Sequence, residues 1–409
     1  MSMKYKKYHY DHFQLHLVST KKFKTILVKI NFKRPLRKEE ITKRNFLSDL
    51  MIRSTKKYNS ERFMAIATEN LYGMNFNSYS VTSGNYSLLS FNAMFLDKKY
   101  TEDSIVEEVF DFFHEVLFAP NIQNGKFENK AFSLTKKCMR DELVSIKENP
   151  SRLSNSHLYD AIDPDSILAY HSEGYLEDLT KITRENLVSY YEDVLKNDVV
   201  DIFIIGDVDE SIADIILEKL PFQNPKKENG NHYVTDIRER KEVQILKEKS
   251  KFTQSRLSLA YNIKEMTPFE RNYVSYIYSS ILGGGADSKL FRTVREKNSL
   301  CYSIGSSVNR IFELLLIRLG LDGKKQEKAV TLIKQCVEDM EKGKFTEEEI
   351  EKAKIIYESS LKEVYDNPFN LLNIYVSKEY LQTDDIEKRL EEIKKVGKKE
   401  LLTFAKKVK

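Results

Sequence analysis

Asn45, Ser48 and Asp49 stand at i, i+3 and i+4 in the stretch ITKRNFLSDLMIRST, so a helix there carries all three on one face. Phe46, Leu47, Leu50 and Met51 supply apolar packing around them. His, Glu and His at these same offsets form the inverted HxxEH motif, with two zinc ligands one turn apart and a general base between them. Here the spacing and the apolar frame are present and the chemistry is not. An asparagine amide is a poor zinc ligand, a serine hydroxyl is no base at working pH, and one aspartate cannot hold the metal alone. Any amphipathic helix can show a polar triplet at this spacing, so the triplet by itself identifies nothing.

Other candidate chemistry is thin. None of the seven histidines completes a ligand pair. His9, His12 and His16 fall in a segment expected to be mobile or at a sheet edge, and His114 reads as packed on an apolar helix. His157 and His171 have no Cys or His at ligand spacing. Cys138, Cys301 and Cys336 are far apart and odd in number, which fits neither a disulfide framework nor a CxxC zinc site and suits a reducing compartment. Gly283, Gly284 and Gly285 are not followed by the Gly-Lys-Ser/Thr end of a phosphate loop, so they read as a structural turn between helices.

Hydrophobic periodicity sets out the elements that would position these residues. The first half reads as a strand over 23–32, helices over 39–53 and 61–72, and strands over 75–82 and 86–95. An apolar helix follows, carrying Ile105, Val109, Phe112, Phe113, Val116 and Leu117. A long helix over 127–147 comes next, then a buried strand over 201–206 and a helix ending near Leu220. The second half has a strand over 255–263 and a helix opened by Thr267, Pro268 and Glu270 as N-cap, first-turn proline and capping-box glutamate. A helix over 288–297 and strands over 302–308 and 314–321 lead to a helical end, where Gly343 closes one helix and Thr346 with Glu349 opens the next. The same order twice predicts an α+β protein of two related domains, residues 1–222 and 239–409, each a mainly antiparallel sheet with helices packed on one face. Residues 223–238, aperiodic and containing Pro225 and Gly230, read as the linker.

Residues 281–308, ILGGGADSKLFRTVREKNSLCYSIGSSV, closely resemble the signature of the pitrilysin/insulinase family of zinc peptidases, which includes the mitochondrial processing peptidases. In that family a Gly-rich turn leads to a helix with an Arg-Glu-Lys end and then a strand holding a tyrosine. Gly283, Gly284, Gly285, Leu290, Phe291, Val294, Arg295, Glu296, Lys297, Leu300 and Tyr302 match in order and spacing. Gly206-Asp207-Val208-Asp209 looks like the end of the family's first domain, and Leu71-Tyr72-Gly73 like the start of its substrate edge. Phe23-Lys24-Thr25, Arg34-Pro35-Leu36 and Thr42-Lys43-Arg44 look closest to the YmfF-like bacterial branch, whose members are non-catalytic and occur beside a partner with the intact motif.

The resemblance implies roles for particular residues. The family's two metal histidines correspond to Asn45 and Asp49, and its base glutamate to Ser48. Its third ligand corresponds to Glu142, eight residues before Pro150, which alone reads equally as a solvated surface carboxylate. Arg295 and Tyr302 correspond to residues that point toward bound substrate and its tetrahedral intermediate. The family binds peptides by adding a strand to a sheet edge. The candidate edge here lies within 76–86, although Phe76, Tyr79 and Tyr86 suit a core equally well.

Composition narrows the partners. The 66 basic and 62 acidic side chains nearly cancel to +4, with no basic block, so nucleic acid is not an expected partner. No run of ~18 apolar residues offers a membrane span. The basic first residues run into Tyr8, His9, Tyr10, Asp11 and His12, with no apolar signal core. A cytoplasmic, catalytically inactive homologue is expected. It would complete the peptide-binding chamber of a paralogous HxxEH subunit as a dimer or heterodimer, with zinc held only by that partner. A stand-alone peptide-binding module and a weak zinc endopeptidase using Asp49 and Glu142 are the alternatives. After dialysis against trace zinc, elemental analysis is expected to find far less than one zinc per chain. About one zinc per chain, lost in an Asp49→Ala variant, would contradict the inactive reading.

Overall fold

The computed structural model describes residues 3–225, 230–234, 237 and 242–409. The strands are β1 Lys4–His9, β2 Gln14–Ser19, β3 Thr25–Pro35, β4 Asn75–Ser83, β5 Tyr86–Leu96, β6 Ile122–Gln123, β7 Lys126–Phe127, β8 Val199–Gly206, β9 Ser255–Asn262, β10 Cys301–Asn309 and β11 Leu314–Leu321. The helices are α1 Lys38–Met51, α2 Glu61–Asn70, α3 Ile105–Phe118, α4 Asn129–Ile146, α5 Pro150–Ile162, α6 Leu176–Lys181, α7 Arg184–Asn197 and α8 Ile212–Lys219. They continue with α9 Ser275–Gly283, α10 Gln326–Glu341, α11 Glu347–Val364, α12 Pro368–Leu381, α13 Ile386–Glu392 and α14 Lys398–Ala405.

The chain forms two compact units, and each takes a segment from the far half of the sequence. Unit 1 comprises Met1–Ser145, His171–Asn231 and Asn367–Tyr380; unit 2 comprises Ile146–Tyr170, His232–Asp366 and Leu381–Lys409. Each is a mainly antiparallel sheet with helices, so the architecture is α+β with two related domains.

Unit 1 is built on a six-stranded sheet in the order β1-β2-β8-β3-β5-β4, antiparallel except between β2 and β8. Alternation along β3 sorts its two faces, because successive strand residues point oppositely. Val28, Ile30 and Phe32 join Ile202, Ile204 and Phe91 on the apolar face, where Phe32 packs edge-on against Phe91 and Phe222. Lys29, Asn31 and Lys33 join His16, Asp201, Ser90 and Asn92 on the other.

That polar face is itself buried, and α12 closes part of it. The Tyr380 hydroxyl donates to Asp201 Oδ2 (2.8 Å) and accepts from Asn31 Nδ2 (3.1 Å), while Ser90 Oγ donates to Asn31 Oδ1 (2.7 Å). The His16 ring stacks on Phe203 at 4.2 Å, with Nε2 3.8 Å from Asp201 Oδ1. Burial pushes the Asp201 carboxyl up, but His16, the charge of Lys33 and the Tyr380 hydroxyl outweigh it and hold the carboxyl below its ordinary value.

Unit 2 has a three-stranded antiparallel sheet, β10-β11-β9. One face carries Leu257, Leu259, Leu315, Ile317 and Leu319. On the other, Leu158, Tyr159 and Ile162 of α5 pack with Leu168, Leu314 and Leu316.

Several sequence expectations are corrected here. His16 is fully buried on an interior strand, because β2 lies between β1 and β8 and the face it points to is covered. Tyr86 begins β5 and pairs with Pro35 and Ser83, so it lies outside the edge strand. The Thr267–Glu270 capping box forms, but residues Glu270–Val274 wind as a π-helix before α9, and Phe291–Glu296 does the same within the stretch read as a simple helix. The linker expected over 223–238 falls partly outside the described residues.

Tyr380→Phe removes the donor to the buried Asp201 carboxylate and is expected to cost about 1–3 kcal/mol of stability at neutral pH. A carboxyl with a depressed folded pKa stabilises above the unfolded pKa, and that contribution is lost as pH falls through the folded value. The difference between wild type and variant in denaturant unfolding should therefore shrink in acid. An unchanged midpoint at pH 7 would refute the role given to this network.

Candidate functional site

The helix read as a metal helix is α1, and charge seats it. Arg44 and Asp198 are both fully buried; Arg44 Nη2 donates to Asp198 Oδ2 (2.6 Å) and to the Phe32 carbonyl (2.5 Å). Arg34 Nε takes the other oxygen of Asp198 at 2.5 Å. Phe46 packs on Phe132 of α4 at 4.9 Å.

Asn45, Ser48 and Asp49 share a face of α1, as their spacing requires, and two of them are committed to local bonds. Asn45 Nδ2 donates to the Ile41 carbonyl (3.0 Å) and to the Ser172 carbonyl (2.8 Å), tying a loop to the helix. The same loop is anchored where the Tyr175 amide donates to Thr42 Oγ1 (3.0 Å). Gly174 passes Thr42 with φ +104°, and a Cβ there would come within 2.9 Å of Thr42 Oγ1. Ser48 is buried and donates to the Asn45 carbonyl (2.7 Å).

Asp49 is half-buried and faces a hollow of ≈ 440 Å³ lined also by Arg53, Glu61, Thr68, Phe76 and Phe112. Burial raises its carboxyl, Arg53 lowers it and the charge of Glu142 raises it; the result stands above the ordinary value. Glu142 is exposed on α4, and Arg53 pairs with Glu61. Zinc favours about four donors rich in imidazole or thiolate. Two carboxylates beside a committed amide and a back-bonded hydroxyl do not fit it. Among the described residues no three His, Cys, Asp or Glu side chains converge as a metal group.

Beside this hollow runs the sheet edge. Among the described residues β4 is hydrogen-bonded within its sheet to β5 alone, so no described strand joins its other edge. Phe76 turns inward onto Phe112 and Phe113, and Tyr79 is partly exposed and accepts from Lys29 Nζ (2.6 Å).

Arg295 and Tyr302 both belong to unit 2. Tyr302 is 72% exposed, and the register of β10 with β11 passes from Cys301 to Ser303 around it, so an irregularity in the strand turns it out of the ladder. Arg295 is exposed, with its guanidinium 4.5 Å from the Phe291 ring centre. Burial raises the Cys301 thiol, and the Arg295 charge lowers it in part. The α1 docking of the Ser172 loop and the Arg53–Glu61 wall of the hollow were not anticipated from sequence. Arg53, one turn after Asp49, was the available signal.

No helix among the described residues is long and apolar enough to cross a membrane. A family model described as the peptidase M16 inactive domain matches residues 181–357. The Bacillus subtilis protein described as "Probable inactive metalloprotease YmfF" is 26% identical over 400 residues, covering 96% of this chain and 93% of that protein. A crystal structure of a conserved protein from Enterococcus faecalis matches with a TM-score of 0.90 at 29% identity, over 97% of this chain and 94% of that one. The peptidase M16 inactive domain from Pseudomonas fluorescens matches with a TM-score of 0.78 at 15% identity, over 98% and 94%, a likeness of fold. Sequence and fold agree that the chain is a homologue of the peptidase M16 metalloproteases, matched over residues 181–357 by the inactive-domain model and over nearly its whole length by a probable inactive metalloprotease.

Proposed function

We propose that this chain is the non-catalytic subunit of a zinc peptidase, completing the peptide-binding chamber around a paralogous partner that carries the intact HxxEH motif. The observation that carries this reading is α1 itself. The helix is firmly seated, yet its metal positions hold Asn45, Ser48 and Asp49, two of them committed to local hydrogen bonds. A chain that keeps this frame without its chemistry serves through its shape and through what it presents to a partner. The separated cysteines suit a reducing, cytoplasmic setting, and zinc would be held by the partner alone.

Arg295 and Tyr302 are what this chain would present to the partner's substrate. Attack on a peptide carbonyl develops negative charge on its oxygen; a guanidinium and a phenolic hydroxyl both donate to that oxygen. The exposure of both side chains supports this role over a packing one. The β4 edge that no described strand joins, next to the Asp49 hollow, supports a second reading in which the chain binds peptide by strand addition without any peptidase partner.

Co-purification from the native host is expected to recover a companion chain with HxxEH, and recovery of the protein as a lone monomer would favour the second reading. In the reconstituted complex, Tyr302→Phe and Arg295→Ala are each expected to lower peptide turnover by at least ~10-fold with assembly intact, since losing one oxyanion donor typically costs about 10²–10³. Wild-type turnover in both variants would assign the pair a structural role.

A further inference from the structure

Unit 2 holds a second hollow, of ≈ 90 Å³, between the first turns of α5 and the sheet. Arg256 and Ser258 of β9, Ser303 of β10 and Arg318 of β11 converge there beneath Ser154 and Asn155 of α5. The register explains the convergence. Ser258 pairs with Arg318, while Arg256 and Ser303 both pair with Gly320, and directly paired residues share a face. Gly320 leaves the bed on which the Arg256 guanidinium lies: a Cβ there would sit 2.4 Å from Arg256 Nη1.

The hollow is braced. Arg318 Nε donates to Asn155 Oδ1 (2.6 Å) and its Nη1 to Ser307 Oγ (3.4 Å), and the Ser154 and Ser258 hydroxyls are bonded to each other (2.8 Å). Among the described residues no acidic side chain lines it. Elsewhere Arg34, Arg44, Arg53, Arg271 and Arg292 each pair with a carboxylate. Arg256 and Arg318 instead bring two permanent positive charges to one small space whose described lining holds no counter-charge.

We propose that this hollow binds a small tetrahedral dianion, either free phosphate or the phosphoryl group of a phosphomonoester. Two guanidiniums match a dianion, where a carboxylate would neutralise only one. The planar forks and the Ser303 hydroxyl supply donors for several oxygens at once. The volume suits one phosphoryl group and lies well below the ~300 Å³ at which pockets for whole organic ligands begin. The site lies wholly in unit 2 and does not depend on the partner-subunit reading.

Isothermal titration calorimetry with inorganic phosphate, at fixed ionic strength, is expected to show saturable binding at one site per chain with Kd on the order of 1 mM or tighter. R256Q and R318Q should each weaken it by ~10-fold or more, the usual scale for a charged hydrogen bond. Arg318 also braces α5, so R256Q, at an exposed position, decides the matter if R318Q melts early. Gly320→Ala keeps both charges but displaces the Arg256 guanidinium, and should weaken binding as well. Glycerol phosphate distinguishes the sources: affinity comparable to phosphate identifies a phosphomonoester as occupant, and binding of inorganic phosphate alone identifies the free ion. Absence of saturable heat in the wild type, undiminished affinity in R256Q, or competition by acetate as effective as phosphate would overturn the proposal.

Discussion

Asp198, fully buried between the end of α7 and the start of β8, receives Arg44 of α1 on one oxygen and Arg34 of β3 on the other, and this arrangement seats α1 on the sheet. Charges in a protein interior are costly unless each is paired and hydrogen-bonded. Here both carboxylate oxygens are taken, and Arg44 also satisfies the Phe32 carbonyl. Stranding either partner would leave an uncompensated buried charge, a loss on the order of 3–5 kcal/mol. The helix therefore holds its position without help from a metal. Its face carries an amide that ties down a loop and a hydroxyl bonded to its own backbone, and neither is needed for that seating.

The same logic of satisfied polar groups shapes the rest of unit 1. His16, Lys29, Asn31, Lys33, Ser90 and Asp201 are polar and buried on one face of its sheet, so each needs a partner. Tyr380 bridges Asp201 and Asn31, and Ser90 completes Asn31. A segment from the far end of the sequence, Asn367–Tyr380, is thereby written into the first unit, while Ile146–Tyr170 is written into the second. Unit 2 uses its polar residues differently. Its α5-facing side sets arginine and serine around a small braced hollow beside an apolar cluster.

Much of this was legible in the sequence where local pattern decides. The strands β4, β5 and β11, the helix α1 with its triplet, and the capping boxes at Thr267 and Thr346 follow from periodicity and end signals that act over a few residues. What was not legible depends on long-range pairing. His16 sits in a short, polar N-terminal stretch and looks exposed; only its placement between β1 and β8 buries it. The alternation of Lys29, Asn31 and Lys33 along β3 carries no sign that α12 helps cover that face. Of the candidate site, the triplet on one face of α1 follows from spacing, while Glu142 is named only through the family resemblance. The hollow at Asp49 follows from neither, since it arises where α1, α2, α3 and β4 meet.

In the proposed reading, Asn45, Ser48 and Asp49 of α1 and Glu142 of α4 stand where a peptidase of this type holds its base and metal ligands, and the first three lack the donors. Restoring them tests this most directly, by measuring zinc in a variant carrying Asn45→His, Ser48→Glu and Asp49→His. The account predicts one tightly held zinc per chain in that variant, lost again when Glu142→Gln is added. A folded variant that binds no zinc, or one that keeps zinc without Glu142, would contradict it.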